Sequence, residues 1–230
     1  ITPRYLYIIE NPKIIKIYSQ NIGFEHPKLV FLPIGIANKM WPHGNSDSLL
    51  LTMHSKIPKT KDVYFYFDVN TNYSKRSECK SILESKGLVF GSPIPNNEYL
   101  RSLAQYKFSI CPEGNGMDSH RIWESIYLNV IPIMLKTSFT ILLKRSYPCI
   151  LLDSWQDFDM PSILASYNDM NTMLQCVKNT LNLSYYDHLI RFGTSFDIVI
   201  PLGPNEYEKL PIQIEYTKRH VIGYRYIYIV

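Results

Sequence analysis

The chain has 230 residues, 46% of them apolar and 19% charged, a balance that fits a folded core and argues against a disordered or fibrous polypeptide. Its formal charge of +4 is too slight, and its lysines and arginines too scattered, for a nucleic-acid-binding stripe, although it suits an anionic small ligand. Cys79, Cys111, Cys149 and Cys176 form no C-x-x-C pair and no histidines cluster near them, which argues against zinc and against a disulfide framework. There is no signal peptide, and no apolar run reaches membrane-spanning length. The chain opens on Ile1 and stops on an apolar run, GYRYIYIV, so it reads as a piece of a longer polypeptide, and the compartment stays open.

In chain order, residues 14–18 and 29–32 look like short strands with a turn at HPK between them. Residues 32–47 (LPIGIANKMWPHGNSD) have the Pro, Gly and Asn content of a long loop or domain junction. Residues 62–68 (DVYFYFD) read as a buried, aromatic-rich strand, followed by the loop VNTNYSKR and a helix over 74–85. GLVFG (87–91) is expected to be a strand, and Asn96 or Asn97 to cap a helix running to about residue 106. In that helix Tyr99, Leu100, Leu103 and Ala104 keep helical spacing and read as core. Strands follow at KFSIC (107–111), VIPI (130–133) and CILL (149–152), with a helix capped by Ser138 before the last of them. Helices are expected between residues 161 and 192, the clearest over 169–180. The alternation over 62–152 predicts an α/β domain, a parallel sheet with helices on both faces. Such sheets bind ligands at the carboxyl ends of their strands, where VNTNYSKR, PEGNGMDS and LDSW would all lie.

The stretch KFSICPEGNGMDSHRIWESIYLNVIPIML (107–135) carries the densest functional signal. Its loop runs into a helix through Asp118 and Ser119, both good N-cap types, so unsatisfied amides and the positive helix end face whatever lies above. Gly114 and Gly116 allow a close backbone approach, and Arg121 in the first turn suits a diphosphate. Glu124 has two readings: it accepts from ribose hydroxyls, or it pairs with Arg121 at three-residue spacing for a few tenths of a kcal/mol. His120 is either a phosphate donor or surface padding, and Cys111 is a small buried residue rather than a nucleophile. Asn72, Lys75 and Arg76 crowd the start of the preceding helix, where cations are unfavourable unless an anion sits there too; otherwise they form a solvated basic turn. Asn72 and Asn182 also head N-x-Ser sequons, but the position of Asn72 in a candidate binding loop argues against a glycan there.

The order Cys–Pro–x–Gly–x–Gly, Asp–Ser–His–Arg, Trp–Glu, Val–Ile–Pro–Ile resembles the nucleotide-sugar-binding half of exostosin-like glycosyltransferases. Cys111, Pro112, Gly114, Arg121, Glu124, Ile131 and Pro132 match; Glu113 replaces the usual arginine, and Asn129 stands where glycine is common, a turn position asparagine tolerates. The resemblance spans about residues 33–153. It implies a Rossmann-like domain, the C-terminal lobe of a GT-B fold, over 46–193, with 1–45 ending an acceptor-side lobe and its linker, and Trp41, His43 and Asn45 at the cleft. It further implies an inverting transfer from a nucleotide-diphosphate sugar to a hydroxyl of a glycan or glycoprotein, with no required cofactor and no essential metal. The implied substrate-binding set is Asn72, Lys75, Arg76, Pro112, Glu113, Gly114, Asn115, Gly116, Asp118, Ser119, His120, Arg121 and Glu124; the catalytic base belongs to the other lobe and is not named. Residues 194–230 resemble the truncated start of a second, single-lobed nucleotide-diphosphosugar transferase, a strand–helix–strand unit lacking its Asp–x–Asp motif. Two rivals remain: a fucosyltransferase-type donor lobe, and a non-catalytic carbohydrate- or nucleotide-binding module.

Overall fold

In a computed structural model the described residues are 3–41, 44, 46–177, 181 and 184–187, with the backbone of two further strands at 196–200 and 224–229. Residues Ile1–Lys178 form one compact unit and Asn179–Val230 a second.

The first unit opens with a single helical turn, α1 (Leu6–Ile9), and two short strands, β1 (Ile17–Ser19) and β2 (Leu29–Phe31), paired in parallel with Tyr18 opposite Val30. Residues 46–54, which carry no regular assignment in the sequence reading, form helix α2 (Ser46–His54). Its consecutive Leu49, Leu50 and Leu51 lack a clear helical stripe; Leu49 is buried while Leu50 and Leu51 stay exposed.

The main sheet contains β3 (Lys61–Tyr64), and helix α3 (Tyr73–Ser85) and helix α4 (Asn96–Leu103) come between it and β4 (Tyr106–Ile110). Helix α5 (His120–Tyr127), β5 (Ile131–Leu135), helix α6 (Ser138–Lys144) and β6 (Ile150–Leu152) follow. The four strands lie in the order β3-β4-β5-β6 and all pairs are parallel, with Phe108 opposite Val63 and Ile131. Helices α7 (Met160–Ala165) and α8 (Tyr167–Val177) complete the described part of the unit.

The alternation of β4 puts helices on both faces of this sheet. Cys111 Sγ reaches Ser109 at 3.6 Å and Ser125 of α5 at 4.0 Å, whereas the Phe108 ring meets Tyr167 of α8 at 5.7 Å. The domain is therefore an α/β, Rossmann-like parallel sheet flanked by helices, as the strand–helix alternation implies. Ile122, Trp123, Ser125 and Ile126 form the buried stripe of α5, which leaves Arg121 and Glu124 on another side of the same helix. Asn129 ends the α5–β5 turn with φ of 57°, the left-handed conformation in which asparagine substitutes for glycine.

Some local expectations on element bounds and caps need correction. GLVFG joins no ladder: Val89 is 88% exposed, and the segment is held to the chain after β3 by one backbone hydrogen bond, Gly91 N donating to Phe65 O at 2.8 Å, and by the Phe90 ring. Helix α4 stops at Leu103 rather than near 106, because Tyr106 already pairs in β4. Thr137, not Ser138, caps α6, through a reciprocal box with Thr140. The segment before residue 46 packs onto the sheet domain: Phe31 stacks on Trp123 of α5 with centroids 6.0 Å apart, and Glu25 pairs with Arg145 at 2.7 Å.

The second unit contains β7 (Phe196–Ile200) and β8 (Tyr224–Ile229), paired in parallel with Phe196 opposite Tyr224. Parallel neighbours need a crossover, as a strand–helix–strand unit would supply. The helix expected in that unit lies outside the described residues, as do His43, Asn45 and Asn182. Among the described residues no helix is long and apolar enough to cross a membrane.

Candidate functional site

A cleft of about 860 Å³ lies at the carboxyl ends of β3 and β4. Nine of the sequence-predicted residues line it: Arg76, Gly114, Asn115, Gly116, Asp118, Ser119, His120, Arg121 and Glu124. The other four stand beside it. Asn72 donates from Nδ2 to Gly114 O at 2.9 Å and so fixes the loop from behind; the same bond occupies the amide that a glycan would need. Pro112 is buried. Lys75 and Glu113 form an ion pair with each other. Of the three loops expected to converge, LDSW stays out: Asp153 pairs with Lys136 at 3.2 Å and Trp155 is buried.

Both glycines line the cleft, and each also makes room for a neighbouring side chain. A Cβ on Gly114 would lie 3.1 Å from Arg76 Nη2, so glycine makes room for that guanidinium. A Cβ on Gly116 would lie 2.6 Å from Asn21 Oδ1, the atom that accepts from Asp118 N at 2.7 Å. Gly116→Ala must push Asn21 aside and break that bond. We expect a loss of about 1–3 kcal/mol in urea unfolding. An unchanged midpoint would show that the loop relaxes freely.

Asp118 precedes the cap position of α5 and is not itself the cap. Its Oδ2 accepts from Ile34 N and its Oδ1 from Trp123 Nε1, each at 2.7 Å, so a carboxylate only 3% exposed ties the segment after β2 to α5. Burial pushes this carboxyl up to about 6, against the pull of the Ile34 amide and the Trp123 indole. His120 binds the same segment: its Nδ1 lies 2.8 Å from Gly35 O and must carry the proton to donate there.

Ser119 holds the N-cap backbone position of α5, with φ of −134° and ψ of 146°, yet makes no capping bond. Its Oγ is buried and unpartnered. The helix thus opens into the cleft without the usual side-chain cap. Arg121 Nη1 is likewise buried with no hydrogen-bond partner. The Arg121 guanidinium sits 5.3 Å from the Tyr99 ring and 5.7 Å from the Tyr64 ring. Burial lowers its pKa, and the Glu124 carboxylate one turn along the helix raises it. No ion pair joins Arg121 to Glu124; instead Glu124 Oε2 accepts from Tyr99 Oη at 2.8 Å. The pairing reading of Glu124 therefore falls.

Arg76 is 7% exposed, with Nε donating to Glu113 O at 2.9 Å and Nη1 to Asp68 O at 2.7 Å. Burial first, and then repulsion from Arg121, pull its pKa below the ordinary value. Two guanidinium groups close enough to repel line one cleft, and neither is paired with a carboxylate. That arrangement favours an anion.

Sequence reasoning missed Asn21, Tyr64, Tyr66, Asp68 and Ile94 and treated Tyr99 as core; all line the cleft. A usable signal was present. In DVYFYFD, Tyr64, Tyr66 and Asp68 alternate with Phe65 and Phe67, which are buried and pack on Phe90 at 5.0 and 5.2 Å. Trp41 lines the cleft while 55% exposed. Among the described residues no group of three His, Cys, Asp or Glu side chains is placed to hold a metal. Cys79, Cys111 and Cys149 are buried thiols, and burial raises the pKa of each. No protein-family model matches the chain.

Proposed function

We propose that the cleft binds a nucleotide-diphosphate sugar and that the chain is the donor-binding lobe of an exostosin-like, GT-B type glycosyltransferase. The observation that carries the reading is Arg121 Nη1, buried and unpartnered beside the uncapped start of α5 and the unpartnered Ser119 Oγ. A diphosphate supplies what all of these donors lack: acceptor oxygens and negative charge. Arg76 adds a second positive group next to the same loop. Glu124 lies one turn further along α5, where it accepts from ribose hydroxyls.

In this reading the chain's own contribution to catalysis is electrostatic. As the bond between sugar and diphosphate breaks, negative charge grows on the leaving phosphate oxygens. Arg121, Arg76 and the first-turn amides of α5 are already oriented toward it and need little reorganisation. The sugar passes to a hydroxyl of a glycan or glycoprotein with inversion, and the proton of that hydroxyl goes to a base on the acceptor lobe.

Titration of UDP, GDP and ADP with thermal melting tests this. At a hundredfold excess over its Kd, the matching nucleotide should stabilise the chain by about 2.7 kcal/mol, roughly 5–10 °C for this size. No shift with any of the three at millimolar concentration would contradict the reading. Binding without sugar release by the enzyme carrying both lobes would favour the non-catalytic module instead.

A further inference from the structure

Tyr99 belongs to α4, yet its side chain touches both ionic groups that α5 presents to the cleft. Its Oη donates to Glu124 Oε2 at 2.8 Å, and its ring lies 5.3 Å from the Arg121 guanidinium carbon. Tyr64 braces the same guanidinium at 5.7 Å and meets the Tyr99 ring edge to face at 5.9 Å. Three-residue spacing on α5 would let Arg121 and Glu124 fold onto each other, a collapse that would cost the cleft both its cation and its acceptor. They do not pair. The phenol holds one carboxylate oxygen, and the two rings hold the guanidinium. Glu124 Oε1 is left to accept from a ligand, and Arg121 Nη1 to donate to one.

We propose that Tyr99 is a positioning residue that keeps Glu124 and Arg121 apart, aiming the carboxylate at the ribose and the guanidinium at the diphosphate; this rests on the nucleotide reading above. Burial keeps the Tyr99 phenol protonated well beyond the ordinary tyrosine range, so it remains a donor to Glu124 at any working pH.

The test is Tyr99→Phe, which keeps the ring and removes only the hydroxyl. Binding is measured by calorimetry for two probes: inorganic pyrophosphate, and whichever of UDP, GDP and ADP the native chain binds best. Loss of the hydroxyl frees Glu124 to fold onto Arg121, so both probes should weaken, the nucleotide about tenfold and pyrophosphate less, because the nucleotide loses the ribose acceptor as well as the free cation. In an E124A background the same substitution should have no further effect on the nucleotide, since its only route of action is gone. Unchanged binding of both probes, weakening of the nucleotide with pyrophosphate unaffected, or a full effect in E124A would each overturn the proposal while leaving the nucleotide reading intact. A native chain that binds neither probe would overturn both.

Discussion

Arg121→Met should leave the ligand-free chain at least as stable as the native one and abolish its stabilisation by nucleoside diphosphate. Two opposed terms set this result. Arginine loses its hydration on burial, at a cost of several kcal/mol, and here no carboxylate ion pair and no acceptor for Nη1 offsets that cost. The Tyr64 and Tyr99 rings return about 0.5–2 kcal/mol each. Methionine fills similar space between the same rings without the charge, and relieves the repulsion on Arg76. Binding moves the other way: a charge-assisted hydrogen bond to phosphate is worth about 1.5–3 kcal/mol, so affinity should fall roughly tenfold to a hundredfold. Melting curves with and without nucleotide read both terms at once. A variant that melts well below the native chain would show that Arg121 serves the fold rather than a ligand.

Asp118→Ala is expected to give the largest loss of stability. It strands two buried donors, the Ile34 amide and the Trp123 indole, and leaves His120 to hold the segment after β2 on α5 without it. At about 1–3 kcal/mol for each unsatisfied donor, plus lost packing, the cost is about 3–5 kcal/mol, large beside the net stability of a domain. Asp118→Asn should cost less, since its one carbonyl oxygen can still serve one of the two donors. The pH dependence has a definite sign. A carboxyl raised from 3.8 to about 6 by folding binds its proton more tightly in the native state. Its contribution is complete below the unfolded value and disappears as pH rises through about 6, a change of about 3 kcal/mol. Asp118→Asn lacks this titration. The stability difference between native and Asn chains, followed by urea unfolding from pH 4 to 7, should therefore shrink by that amount. A difference independent of pH would show that Asp118 ionises normally.

The sheet was legible because its strands are short apolar runs separated by capped helices, and the crossover rule then leaves few topologies. The loop that opens the cleft was legible for a similar reason: Gly114, Gly116, Ser119 and Arg121 stand in the local order that a helix start over an anion requires. What the sequence hid is mostly non-local. Nothing near Asp118 indicates that its partners are Ile34, 84 positions away, and a tryptophan from the buried stripe of the helix that follows it. Asn21 is 97 positions from the amide it accepts from, and no period or motif announces it. Tyr99 looked like core because helical spacing reports that a side chain is covered, not what covers it. GLVFG misled because strand propensity cannot show whether a three-residue apolar run, flanked by Gly87 and Gly91, has a partner within reach. Helix α2 escaped because its leucines are consecutive rather than spaced.

The most direct measurement is a crystal structure of the chain soaked with the nucleoside diphosphate that shifts its melting most. The account predicts phosphate oxygens within about 3 Å of Arg121 Nη1 and Ser119 Oγ, with a ribose hydroxyl on Glu124. Nucleotide bound elsewhere, with Arg121 Nη1 satisfied by a protein acceptor, would contradict it.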